Sequence, residues 1–261
     1  MDNAAIKVVN LSKRFMLTPS GGPRPTIKER LNAVIHRPVQ RLLRRATSTQ
    51  VDSKVREFWA LREVSFTICD GEVVGLIGRN GAGKSTLLKI LSRITSPTSG
   101  WAQVNGRLGS LLQIGVGFHV DLTGRENIFL SGAIMGMDEK EIRENFDRIV
   151  DFAGVRDFID IQTKFYSSGM NVRLAFSLAA NLDCDIIFHD EVWGVGDENF
   201  AKKSQKKMEE LIKSGRTVLI VSHNLGLIRS MCTRALLMEQ GKILMDGSPE
   251  EVVRIYGEQF G

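Results

Sequence analysis

Short apolar runs gather toward the two ends of the chain, and helical stripes fill the stretch between them. Residues 6–15, IKVVNLSKRF, read as a strand, and residues 58–78 read as two more, broken by a turn at Asp70-Gly71. Between these strands TPSGGPRP (18–25) reads as a loop, and Thr26 then caps a helix whose Glu29 completes a capping box. Ile27, Leu31, Val34 and Ile35 form its apolar stripe, and Pro38 ends it. KSTLLKILSRI predicts a largely buried helix carrying Leu87, Leu88, Ile90, Leu91 and Ile94. From Thr123 to Asn181 the pattern is mostly helical, and Ile142, Phe146, Ile149, Val150 and Ala153 share one face. Residues 185–191 and 217–223 have the continuous apolar character of buried parallel strands. A hairpin turned at Gln240-Gly241 and a short helix close the chain. This order suggests a parallel-sheet core with a helical insertion.

Composition changes the picture little: 261 residues, 43% hydrophobic and 25% charged, suit a soluble globular protein. The apolar runs fall far short of the roughly 20 residues of a spanning helix, and the first ten residues lack the layout of a secretory signal. A cytoplasmic chain is expected, with any membrane role supplied through a partner. Cys69, Cys184 and Cys232 stand singly, without zinc or disulfide spacing. The net charge of +5 is local: residues 24–56 carry nine Lys or Arg against two acids, and the rest of the chain sums to −2. A basic stripe over the whole fold, as a nucleic-acid binder would carry, is not evident, so no nucleic-acid partner is expected.

Candidate chemistry enters with IGRNGAGKST. Gly78, Gly83, Lys84 and Ser85 satisfy G-x-x-x-x-G-K-[ST] after a strand and at the start of a helix. The backbone N–H groups from Asn80 through Gly81, Ala82 and Gly83 to Thr86 can turn toward phosphate oxygens. Lys84 can meet the β and γ phosphates, and the Ser85 hydroxyl can ligate Mg²⁺. Asp190, at the end of IIFHDE, suits Mg²⁺ held through water, and Glu191 suits orientation of an attacking water. His189 reads as a local polar contact rather than a metal ligand.

YSSGM at 166–170 resembles the signature turn of the ATP-binding cassette (ABC) family, keeping the serine (Ser167) and the second glycine (Gly169) while losing the first glycine and the glutamine. The resemblance runs along almost the whole chain. It implies that Gln113 is the Q-loop residue sensing γ-phosphate and contributing to the metal site, that GVGD ending at Asp197 is the D-loop, and that His223 is the switch histidine. Phe15, with Trp59 as the alternative, would stack on adenine. It further implies ATP and Mg²⁺ as ligands, and a homodimer in which Ser167 of one chain meets the γ-phosphate held at Lys84 of the other. The implied fold is an α/β P-loop NTPase (RecA-like) parallel sheet core with antiparallel N-terminal strands and a helical subdomain. Residues 1–261 would form one nucleotide-binding domain, with 1–112 and 181–261 as catalytic core, 113–180 as helical signature subdomain and 16–56 as basic helical insertion.

EFWALREVSF, GRNGAGKSTLLKILSRI, LTGRENIFLSGAIMGM and YSSGMNVRLAFSLA are similar to the ATPase subunits of polysaccharide exporters. DEVWGVGD resembles that group's DEVLAVGD, with Trp193 departing. The resemblance implies integral membrane permease subunits as partners, and a lipid-linked O-antigen, capsule or teichoic-acid chain reached through them. It also implies a peripheral place on the cytoplasmic face of the cell membrane. The basic insertion either lies at that face, its arginines near headgroup phosphates, or forms a solvated basic loop. In some relatives a carbohydrate-binding domain follows the cassette; this sequence stops at Gly261, and such a domain is not expected within it. The alternatives are an ABC ATPase subunit for another substrate class, or a soluble ABC ATPase such as an iron-sulfur assembly type.

Overall fold

The computed structural model describes residues 3–17, 56–110, 118–190 and 197–260. The chain divides into two units, Met1–Lys13 with Ala60–Gly261, and Arg14–Trp59. The expected helix at 26–37, Gln113, Glu191 and Trp193 lie outside the described residues.

In chain order the elements are β1 (Ala4–Leu17), β2 (Arg56–Cys69), β3 (Val73–Ile77), α1 (Lys84–Leu91), β4 (Ser99–Val104), β5 (Leu108–Ser110), α2 (Gly124–Ile134) and α3 (Glu139–Ala153). Then follow α4 (Ser168–Ala180), β6 (Ile186–Asp190), α5 (Glu198–Lys213), β7 (Thr217–Val221), α6 (Leu225–Met231), β8 (Arg234–Glu239), β9 (Lys242–Gly247) and α7 (Pro249–Phe260). Two 3₁₀ turns, Arg156–Phe158 and Thr163–Phe165, link α3 to α4. The strands make a three-stranded sheet ordered β2-β1-β4 and a six-stranded sheet ordered β5-β6-β7-β3-β8-β9. Neighbours from β5 to β8 run parallel, and β9 closes the edge antiparallel to β8.

Period-2 alternation divides the six-stranded sheet between two cores. Val73, Ile77, Ile187, Val218, Ile220 and Leu237 face a cluster shared with the apolar sides of α2 through α7. Val74, Leu76, Ile186, Phe188, Leu219, Val221 and Leu236 face the opposite way, packing with α1 and with Ala5, Ile6, Val8, Leu61, Phe66 and Ile68 of the three-stranded sheet. A strand buried on both faces has no reason to alternate polar and apolar residues, which is why β3, β6 and β7 read as solid apolar runs.

The strands at 6–15, 58–78, 185–191 and 217–223 are found where expected, as are the Gln240-Gly241 hairpin turn and the helical stretch before Asn181. On α3, Ile142, Ile149, Val150 and Ala153 are buried and Phe146 is half-buried against Phe129. Ile94 is corrected. The first helix stops at Leu91, because Arg93 takes a left-handed φ of 58° and two C-terminal hydrogen bonds, Arg93 N to Ile90 O (2.9 Å) and Ile94 N to Lys89 O (2.8 Å), wrap the chain away. Ile94 is therefore 53% exposed.

Candidate functional site

The glycine-rich loop leaves the sheet where Ile77 pairs with Leu237, in the middle of the six strands. Close approach dictates two of its glycines. A Cβ on Gly78 would stand 2.1 Å from the Met238 carbonyl oxygen, and one on Gly83, at φ 110°, would stand 2.5 Å from the Ala60 carbonyl oxygen. Gly81 has φ 83° and open space around it. Ala82 is buried and its carbonyl accepts from Gly241 N at 2.9 Å; Asn80 is exposed. Lys84 is buried with its Nζ donating to Gly78 O (2.6 Å) and Arg79 O (3.1 Å), so its ammonium folds back over the loop it follows. Ser85 is exposed in the first turn of α1 and Thr86 is half-buried beside it.

The start of α1 differs from every other described α-helix. Its N-cap, Gly83, brings no side-chain acceptor, and no acid stands in its first turn. The other helices supply one. Thr123, Asp138, Ser167, Asp197 and Asn224 accept from backbone N–H groups at the starts of α2 to α6, and Ser248 does so for α7. A helix N-terminus carries about half a positive charge and unsatisfied donors, so α1 alone leaves these to an external anion, with the Lys84 ammonium next to them.

Parallel register brings the other candidates to the same edge of the sheet. Asp190 pairs with Val221, and Val221 with Leu76, so the carboxyl ends of β6, β7 and β3 form one row, with strands about 4.8 Å apart. The backbone of Asp190 ends β6 in that row, and His223 lies two residues beyond β7, exposed. Ser222 and Asn224 fix the turn around it: Ser222 Oγ accepts from Asn224 N at 3.0 Å, and Asn224 Oδ1 caps α6. His189 points into the sheet interior, 1% exposed, and burial lowers its pKa to about 4. It is a neutral core histidine.

That burial has a consequence for acid stability. The unfolded chain takes up a proton on His189 near its ordinary pKa of 6.5, whereas the folded chain resists until about pH 4. Stability is therefore complete above pH 6.5 and declines as pH falls toward 4, by on the order of 3 kcal/mol at the bottom of that window. Urea unfolding at pH 7 and pH 5 should show the loss, and His189→Asn should shrink the difference between the two pH values.

The signature candidates stand apart from the loop in sequence and are built on helix starts. Ser167 is exposed and accepts from Met170 N at 3.1 Å as the N-cap of α4. Among the described residues a Cβ at Gly169 would meet nothing nearer than Ser167 Oγ at 3.8 Å, so their packing does not require glycine there. Asp197 caps α5 through Phe200 N (3.0 Å), and Arg173 of α4 reaches it at 3.3 Å. Those contacts, the Phe200 N–H foremost, hold its carboxyl below the usual range. Phe15 and Trp59 belong to the unit Arg14–Trp59. There Phe15 is 40% exposed, Trp59 is half-buried, and the Arg14 guanidinium lies 5.5 Å over the Trp59 ring while pairing with Glu57 at 2.8 Å.

Sequence reasoning passed over two supports of this site. One is Gly241, whose N–H holds Ala82 O and whose carbonyl accepts from Arg62 N at 2.8 Å; a glycine in a hairpin turn carries no sign of that reach. The other is the start of α2, where Thr123 and Glu126 form a reciprocal capping box. T-x-x-E is legible in the sequence.

Comparison with known proteins supplies a family and a fold. The ABC transporter family profile matches residues 61–193. The chain is similar to an ABC transporter protein of Aeromonas salmonicida, 43% identical over 85% of this chain and 71% of that protein. It is also similar to an O-antigen export system ATP-binding protein of Myxococcus xanthus, 47% identical over 76% of this chain and 46% of the relative. A teichoic acids export ATP-binding protein of Lactococcus lactis is 44% identical over 78% of this chain and 44% of its own length. The chain thus spans less than half of those two relatives. Among solved structures, a dimeric post-hydrolysis state of an ATP-binding cassette bound to ADP and phosphate has the same fold, with a TM-score of 0.67 at 20% identity over 94% of this chain and 98% of that one.

Proposed function

The chain belongs to the ABC transporter family, and from that premise we propose that it is the ATP-hydrolysing subunit of an exporter that moves a lipid-linked polysaccharide, of O-antigen, capsule or teichoic-acid type, across the cytoplasmic membrane. The observation that carries the ATPase reading is the start of α1, whose N-cap Gly83 offers no side-chain acceptor and whose first residue, Lys84, folds its ammonium onto the Gly78 and Arg79 carbonyls of the same loop. The relatives named for O-antigen and teichoic acid export support the substrate class. Among the described residues no helix is long and apolar enough to cross a membrane, so movement of a glycan needs permease subunits, with this chain peripheral to them at the cytoplasmic face.

In this reading the N–H groups of residues 80–86 and the Lys84 ammonium bind the triphosphate, and Phe15 or Trp59 stacks on the base. The exposed Ser85 hydroxyl, Asp190 at the row of strand ends and Gln113 would hold Mg²⁺, which when bound neutralises charge on the β and γ phosphates. The donor set fits the ion: a hydroxyl, a carboxylate and an amide oxygen are the hard ligands it prefers. Glu191 orients the attacking water, and His223 contacts the γ-phosphate as a hydrogen-bond donor.

Two copies would sandwich two ATP molecules, with Ser167 and Gly169 at the start of α4 meeting phosphate held at Lys84 of the second copy. The room for a Cβ at Gly169 among the described residues supports that role, because a glycine that the described packing does not demand suits close approach from outside. Hydrolysis removes the bridging γ-phosphate and releases the dimer. The test is light scattering of a Glu191→Gln variant with and without Mg-ATP. A shift from monomer to dimer is expected; no shift, with the membrane subunit present in detergent as well, would overturn the sandwich.

A further inference from the structure

Asn127, in the first turn of α2, is fully buried and polar. Its amide nitrogen lies within hydrogen-bond distance of His119 O (3.1 Å), Leu122 O (3.1 Å), Thr123 O (2.9 Å) and Thr163 Oγ1 (3.2 Å), so its two hydrogens are shared among four acceptors. Its Oδ1 accepts from His119 N at 2.7 Å. One side chain thereby fastens three things: the segment 119–123, the start of α2 and the 3₁₀ turn at Thr163.

The network continues toward the Ser167 turn. Thr163 Oγ1 donates to His119 O (3.1 Å), and Thr163 N donates to Leu122 O (2.9 Å). The Thr163 carbonyl accepts from Tyr166 N (3.1 Å) and lies 3.4 Å from Asn171 Nδ2. Asn171 is the residue whose N–H closes the first turn of α4 onto the Ser167 carbonyl at 3.1 Å. Tyr166, next to Ser167, is pinned from the other side by its hydroxyl, which donates to Phe158 O at 2.7 Å beneath Gly124, where a Cβ would stand 2.3 Å from that hydroxyl. The Ser167 turn therefore rests on Thr163, and Thr163 rests on Asn127.

We propose that Asn127 is a positioning residue for the Ser167 turn, setting through Thr163 and Asn171 where the start of α4 presents itself to the nucleotide of a second copy. This rests on the sandwich reading above. Asn127 touches no part of the Lys84 loop in these contacts, so it sets capture across the dimer and leaves binding within one chain alone. An amide shared in this way suits the task because removing it takes the acceptor from the His119 N–H and one donor from each of three carbonyls and the Thr163 hydroxyl at once, and a turn whose support slackens by a fraction of an ångström loses alignment before it loses its fold.

The test separates these two kinds of binding in the Glu191→Gln chain. With Asn127→Ala added, the Kd for a fluorescent ATP analogue, measured at protein concentrations below dimerisation, is expected to stay within about twofold, while the ATP concentration for half-maximal dimerisation rises about tenfold or more. An unchanged dimerisation midpoint overturns the proposal, as does equal loss of both, which would mark Asn127 as a residue of general stability. If Asn127→Ala yields no folded protein, Thr163→Val, which keeps the shape and removes the hydroxyl, is read by the same two measurements and the same criteria. If Glu191→Gln itself fails to dimerise with Mg-ATP, alone or with the membrane subunit, the sandwich reading falls and this proposal falls with it; the parent variant thus distinguishes the two failures.

Discussion

Lys84→Ala should reduce ATP hydrolysis by about 10²- to 10³-fold and raise the Kd for ATP, because a preorganised cation aimed at developing phosphate charge supplies roughly 3–4 kcal/mol. The fold should survive. Lys84 Nζ donates to the carbonyls of Gly78 and Arg79, and the loss of hydrogen bonds of this kind costs about 1–3 kcal/mol, a fall of a few degrees in Tm. A nucleotide titration alongside a thermal melt distinguishes the two effects. A variant that melts near the parent and still hydrolyses ATP at the parent rate would remove Lys84 from the site.

Gly83→Ala is expected to strike both stability and binding. Its φ of 110° is strained for any residue with a Cβ, and that Cβ would stand 2.5 Å from the Ala60 carbonyl oxygen and 3.0 Å from Leu61 Cδ2. The leucine methyl can move, but the carbonyl belongs to β2 and cannot follow cheaply. The loop must shift instead, at a cost of about 2–4 kcal/mol, and with it the start of α1. ATP binding should weaken at least about tenfold. Gly81→Ala makes the comparison: its φ of 83° carries the backbone strain of about 1–2 kcal/mol, but open space surrounds it, so it should bind ATP far better than Gly83→Ala. Equal behaviour of the two would mean that close approach to β2 does not shape the loop.

What could be read from the sequence was what depends on near neighbours in the chain. The solid apolar runs of β3, β6 and β7, the turn at Gln240-Gly241 and the glycine-lysine motif at the head of α1 all follow from local pattern, and the structure contains them. Ile94 was misplaced because apolar spacing continued past the helix while Arg93 turned left-handed, a conformation that arginine does not advertise. The strand order β5-β6-β7-β3-β8-β9 decides that Asp190, His223 and the glycine loop share an edge, and no single segment states it. The same holds for the support of Ser167: Asn127 and Thr163 meet across 36 positions of sequence, and each alone reads as an ordinary residue of a helix start and a turn. The candidate ligand motifs are local, and the contacts that support them are not.

The grip of the C-terminal hairpin on the glycine loop bears on how the protein is made. Ala82 is held by Gly241, Gly78 is closed in by Met238, and Gly241 is anchored in turn to Arg62. During synthesis the phosphate loop, residues 78–86, is made before β8 and β9, residues 234–247, which give it its shape. The loop therefore takes its final shape only once β8 and β9 have formed and docked against it. A ligand that favours the finished site would draw that docking step toward completion.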